Sequence, residues 1–154
     1  VAEILSSSGF SFVRRSEINE PLATRPEMIL LDKMGELAAV WGLATVGFTG
    51  GSLHKKRGGQ SMIEPAGFGV PVLFGPNTWN FRDAVAGLLD CGGACQIADE
   101  LELERELTRL LNSPEVRQQM GEAARKYVQA QQGATQRTLE ALTTLLDNPQ
   151  TKGV

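Results

Sequence analysis

The residues best suited to handling an anion lie in one glycine-rich run, Gly50 to Pro76, which reads GGSLHKKRGGQSMIEPAGFGVPVLFGP. Two glycines follow Thr49, a basic tip comes next (His54, Lys55, Lys56, Arg57), and Gly58 and Gly59 lead into a predicted helix. Glycines let the backbone approach a ligand closely and adopt positive φ. A helix N-terminus presents unpaired N–H groups and a partial positive charge, which suits a phosphate. Gly58, Gly59, Gln60 and Ser61 sit where those donors would be, with Lys55, Lys56 and Arg57 beside them. Glu64, one turn into the helix, can accept two hydrogen bonds from a ribose diol, as acidic residues do in dinucleotide folds. A surface loop with solvated charges would carry the same residues, and composition leaves the two readings of the loop level. For Glu64 alone, a surface glutamate balancing the helix dipole is the simpler reading.

Two further loops have the right position. Asp32 to Glu36 (DKMGE) follows the apolar run Met28 to Leu31 and opens another predicted helix, and Gly35 permits close backbone approach there. Gly75 to Phe81 (GPNTWNF) follows the apolar run Val70 to Phe74 and offers the amides of Asn77 and Asn80. Its aromatic Phe81 is expected in the core. His54 is the only histidine, which excludes histidine-pair catalysis and polyhistidine metal sites within this sequence, and it is expected to be solvated. Cys91 and Cys95 lack the CxxC spacing of a redox or zinc site and read as two small buried residues of a reducing compartment. No GxSxG, HExxH or Walker A motif is present.

The elements that must position these loops alternate along the chain. Helical patterns are expected at Val1 to Ser8, Met34 to Trp41, Gln60 to Phe68, Asn80 to Asp90, Asp99 to Leu111, Ser113 to about Gln131 and Ala134 to Leu146. In the sixth, Ser113 takes the N-cap position and Pro114 the first helical position. Short strands are expected at Phe10 to Val13, Met28 to Leu31, Thr45 to Thr49, Val70 to Phe74 and Ala94 to Ile97. Alternation of this kind predicts an α/β fold: a doubly wound, Rossmann-like parallel sheet covered on both faces. In such sheets ligands bind beyond the carboxyl ends of the strands, and all three loops lie there.

With 154 residues, 42% hydrophobic and 21% charged, the chain suits one domain with a real core. The net charge of −3 argues against nucleic acid as the main partner, while leaving room for a small anion at a local site. No apolar run of about 18 residues exists to span a membrane, and the chain is expected to be soluble. It starts at Val1 within a helical pattern, so it is expected to be a fragment of a longer protein.

Taken together, the order GEL, FTGGS, GG, EPA, G, PVLFGP and NF resembles the C-terminal domain of the 3-deoxy-D-manno-octulosonic acid (Kdo) transferases. That family typically shows GEL, F-V-GGS, GGHN-x-x-EPA, G-x-PV-x-x-GP and NF. A GGA before the next strand and a late G-A-x-x-R-x-L are matched here by Gly92-Gly93-Ala94 and by Gly133 to Leu139. The resemblance covers nearly the whole chain. It implies the C-terminal, CMP-Kdo-binding half of a two-domain GT-B glycosyltransferase acting in lipopolysaccharide synthesis at the cytoplasmic face of the bacterial inner membrane. It implies an N-terminal domain that binds the lipid A precursor and supplies the general base, and no metal or cofactor. By the same resemblance residues 1–154 form a single donor-binding domain with no catalytic residue of its own. The donor contacts would be Met34, Gly35, Glu36, Gly58, Gly59, Gln60, Ser61, Met62, Ile63 and Glu64, with Asn77 and Asn80 as further candidates.

Two departures stand out. The family's GGHN is here Gly58-Gly59-Gln60-Ser61, and its GPH is Gly75-Pro76-Asn77. Gln and Asn can replace neutral histidine as hydrogen-bond partners but not as proton carriers. The family's Pro-Arg-His motif would fall just before Val1. A GT-B enzyme using a UDP-sugar, or a related epimerase, is an alternative that fits the spacing less well. A nucleotide-binding module without catalysis is the alternative from another class.

Overall fold

The computed structural model of the protein describes residues 1–147. These fall into two compact units, Val1–Leu43 and a second that begins at Ala44. Five short strands pair, all in parallel, and seven α-helices accompany them among the described residues. The α/β class with parallel pairing is as the alternation of patterns requires. The strands form two sheets rather than one continuous sheet, of two and three strands.

The first unit contains α1 (Ala2–Ser7), β1 (Phe12–Arg14), β2 (Met28–Leu30) and α2 (Leu37–Trp41). β1 and β2 pair in parallel, Val13 opposite Ile29. A lone pair of strands is marginal in water, and here both ends are fastened by side chains. At the entry, one oxygen of Glu27 accepts from the Ser11 amide at 2.8 Å and from its hydroxyl at 2.9 Å. At the exit, Asp32 accepts from the Ser16 amide at 2.9 Å and its hydroxyl at 2.7 Å. Helix α2 begins at Leu37, not at Met34, and the turn before it contains Gly35 at φ +86°.

These clasps predict acid sensitivity. The Ser16 hydroxyl, then its amide, holds the Asp32 carboxyl below its ordinary value. The Ser11 amide, then its hydroxyl, does the same for Glu27. Hydrogen bonds to the charged form lower a carboxyl pKa. Such groups stabilise the fold above their unfolded pKa, and the contribution is lost as pH falls through the folded value, here below about pH 4. Trp41 lies in the first unit and Trp79 in the second, so Trp41 fluorescence in a Trp79→Phe background follows the first unit alone. Its melting midpoint is expected to drop between pH 7 and pH 3, and to drop less in the Ser11→Ala/Ser16→Ala variant. Equal pH slopes in the two proteins would remove the clasps from the explanation.

The second unit runs β3 (Gly47–Thr49), α3 (Ile63–Gly67), β4 (Val72–Phe74), α4 (Arg82–Asp90), β5 (Ala94–Gln96), α5 (Glu100–Asn112), α6 (Pro114–Gln131) and α7 (Ala134–Asp147). The sheet order is β3-β4-β5 with β4 central. Successive side chains of a strand point to opposite faces, and β4 uses both. Val72 and Phe74 join Met62, Ala66, Leu88, Ala94 and Ala124 on one face, while Leu73 joins Leu110 and Met120 on the other. Both faces are therefore covered, α3 and α4 on one and α5 on the other, with α6 reaching both. Each fully buried side chain of this size contributes about 1.5–3 kcal/mol.

Local chemistry explains the helix ends. Asp99 caps α5 by accepting from the Glu102 amide at 2.8 Å, and Glu102 accepts in return from the Ala98 amide. Ser113 occupies the N-cap of α6 and Pro114 follows it, but the Ser113 side chain makes no capping bond. Arg117 instead donates to the Leu110 and Leu111 carbonyls that end α5. Cys91 is exposed and Cys95 half-buried, so the pair is not the buried couple expected. Burial and the nearby Glu106 charge raise the Cys95 thiol pKa, against nucleophilic use.

Candidate functional site

In the second unit β3 and β4 end side by side, Thr49 opposite Phe74. Their two following loops are fastened by one buried side chain. Ser52 is fully buried; its hydroxyl donates to the Thr49 carbonyl at 2.7 Å and accepts from the Gly75 amide at 2.8 Å. The Ser52 carbonyl accepts from the Asn77 amide at 2.9 Å and from its side chain at 3.0 Å. The Asn77 side chain also donates to the Leu53 carbonyl, and the Asn80 side chain to the Arg57 carbonyl, both at 3.1 Å. Close approach explains Gly75: a Cβ there would stand 2.5 Å from the Ser52 carbonyl oxygen. Gly58, at φ +72°, is pressed against the Trp79 indole and the Asn80 amide.

Sequence-predicted residues are thus brought together in one place: Gly58 and Gly59 lie against the Asn77–Asn80 segment. Some of their groups are already committed. The Gly59 amide donates to the Gly51 carbonyl at 3.1 Å, closing the neck of the loop. Helix α3 starts at Ile63 rather than at Gln60, because Met62 takes the N-cap position, and it has five residues. Gln60 and Ser61 therefore belong to the loop, and a helix this short adds little dipole. The Ser61 hydroxyl accepts from the Ile63 amide at 3.4 Å. The Gln60, Ser61 and Met62 amides make no hydrogen bond among the described residues. Glu64 is exposed, Met62 is fully buried, and Ile63 is half-buried.

Met34, Gly35 and Glu36 lie in the first unit. Met34 is exposed almost completely, and the Glu36 carboxylate is held by Arg15 at 2.9 Å, which leaves the Met34 side chain and the backbone of the turn as its usable surface. An open pocket of about 660 Å³ in the second unit is walled by Gly51, His54, Lys55, Lys56 and Arg57. His54 is exposed, as expected. Among the described residues, no three His, Cys, Asp or Glu side chains are grouped as a metal site needs.

No protein-family model matches the chain. Curated relatives do. It is 37% identical over 148 residues to the 3-deoxy-D-manno-octulosonic acid transferase of Haemophilus influenzae, covering 96% of this chain and 34% of the relative. Against the transferase of that name from Bordetella pertussis the identity is 37% over 138 residues, covering 90% and 32%. Its fold is similar to the crystal structure of the C-terminal CMP-Kdo binding domain of WaaA from Acinetobacter baumannii. That match has a TM-score of 0.76 and 30% identity, over 83% of this chain and 66% of that one. The chain belongs to the Kdo transferase family. It spans about a third of the length of the curated relatives it matches.

Within that family frame, the GGS and GP motifs acquire a structural meaning. The Ser52 of GGS and the Gly75 of GP are two halves of one hydrogen-bonded fastening. Sequence reasoning missed Ser52, although its position, three residues beyond a buried strand end, was a usable signal. It also missed Thr49, whose buried hydroxyl has no hydrogen-bond partner among the described residues. The family motif carries valine at that position, which would fill the same space without a polar group.

Proposed function

We propose that this chain is the donor-binding domain of a glycosyltransferase that transfers Kdo from CMP-Kdo to a lipid A precursor in lipopolysaccharide synthesis. The observation that carries the reading is the likeness, over 83% of the chain, to a domain described as binding CMP-Kdo. In the second unit, the phosphate is held by backbone amides of Gln60 and Ser61 rather than by a helix dipole, with Met62 buried beneath them. Gly58 and Gly59 shape the approach, and Glu64 accepts hydrogen bonds from the ribose hydroxyls. Ile63 lines the ligand beside Met62, while Asn77 and Asn80 act by holding the loop. The assignment of the Met34, Gly35 and Glu36 backbone to the base rests on the family resemblance.

No residue of this chain is assigned the general base. That role, and recognition of the lipid precursor, fall to an N-terminal domain, and residues 1–154 work as one donor-binding domain. The whole enzyme acts at the cytoplasmic face of the bacterial inner membrane. No described helix is long and apolar enough to cross a membrane.

Calorimetric titration with CMP, with UMP and UDP as controls, tests the reading. Selective CMP binding is expected, and preference for UDP would replace Kdo transfer by use of a UDP-sugar. Glu64→Gln is expected to weaken CMP binding about tenfold or more, since one charge-assisted hydrogen bond is worth about 1.5–3 kcal/mol. The fold should be unchanged because Glu64 is exposed. Unaltered affinity in that variant would strip Glu64 of the role.

A further inference from the structure

The basic tip is a local inversion of charge on an acidic chain. The net charge is −3, yet Lys55, Lys56 and Arg57 are consecutive, and Glu64 is the sole acidic residue between Glu36 and Asp83. None of the three cations makes an ion pair among the described residues; the cations that do are Arg14, Arg15, Arg105 and Arg109. All three are exposed, and they wall the open pocket with His54. Their backbone is pinned at the neck by the Gly59–Gly51 bond and at Arg57 by Asn80. At the base of the tip stands Trp79, 44% exposed and packed against Gly58.

We propose that this tip, Lys55 to Arg57 with the Trp79 indole at its foot, is a docking surface for an anionic phospholipid membrane. Charge complementarity selects the occupant. Each Lys or Arg near an anionic bilayer strengthens partitioning about fivefold, and the attraction acts within about 8–10 Å at physiological salt. Indole rings favour the headgroup level, where an apolar body and a polar N–H are both accommodated. A tip on a pinned loop delivers its charges to a surface with little ordering left to do. The proposal does not rest on the donor reading, because none of these side chains is assigned a donor contact.

The test is co-sedimentation of the whole chain with vesicles of phosphatidylcholine, or of an equal mixture of phosphatidylcholine and phosphatidylglycerol. Binding to the mixture alone is expected, with loss in high salt and a blue shift of Trp79 emission in a Trp41→Phe background. Lys55→Gln/Lys56→Gln is expected to weaken partitioning about twenty-five-fold. Circular dichroism checks the fold of that variant, and the salt and lipid dependence of the unaltered chain stand without it. Equal binding to neutral vesicles, no binding to either, or unchanged partitioning of the folded variant would overturn the proposal. So would full displacement by millimolar glycerol phosphate, which would mark a site for a soluble anion. Titration of the same variant with CMP reports separately on the donor site.

Discussion

Gly121→Ala is expected to destabilise the protein by about 3 kcal/mol or more, the upper range for forced overpacking. Gly121 is buried in α6, where a Cβ would collide with the carbonyl oxygen of Gly69 and meet Pro71 Cδ at 3.5 Å. That carbonyl belongs to the turn between α3 and β4, which is itself fixed by bonds from Gly69 to Ala66 and from Val70 to Pro65. Neither side can yield without disturbing a buried element. Helix propensity pulls the other way, since alanine is favoured over glycine inside a helix by about 1 kcal/mol. The sign of the measured change therefore tells which effect wins. Denaturant unfolding followed by circular dichroism reads it, with Gly50→Ala as a control in open space, expected to change stability by no more than about 0.5 kcal/mol. A stabilised Gly121→Ala protein would mean that α6 does not approach the turn so closely.

The second large effect is expected at Ser52. Ser52→Ala strands the Gly75 amide and removes the donor to the Thr49 carbonyl, and a buried polar group left unpaired costs about 1–3 kcal/mol. The expected loss is about 2–4 kcal/mol, accompanied by weaker CMP binding, because the loop that leads to Gln60 loses its anchor. Thr49→Val, three residues away, is expected to do the opposite. Its hydroxyl is already buried without a partner among the described residues, so exchange for a methyl group removes a polar cost at similar volume. Thermal melts of the two variants side by side decide the matter. If both destabilise, the Thr49 hydroxyl has a partner that the reading lacks; if neither does, the fastening is ornamental.

Much of this was legible in the sequence, and the residues show why. Apolar runs such as Val70 to Phe74 could only be buried strands, and their parallel pairing followed from the helices between them. The end of one helix near Gln131, the start of the next at Ala134 and the Pro114 start are local signals that tertiary context did not override. The late start of α3 was not legible. Gln60 and Ser61 have ordinary helix propensities, and what keeps them in the loop is the Gly59–Gly51 bond, a tie between residues eight positions apart. Division of the strands between two sheets, and the exposure of Cys91, are likewise set by packing that no periodicity records. The motifs placed the loops after the strand ends, but which amides stay free depends on bonds visible only once the chain is folded.

The closed neck of the Gly51–Gly59 loop has a consequence for how such proteins diversify. Everything that fixes this segment sits at its roots: Ser52 on one side, Gly58 and Gly59 on the other, and backbone carbonyls rather than side chains at Leu53 and Arg57. As far as folding goes, the stretch from His54 to Arg57 is therefore an exchangeable cassette, constrained by what it meets rather than by the scaffold beneath it. Natural variation can retune what the loop meets without re-solving the folding problem, and a grafted peptide could be displayed there for the same reason.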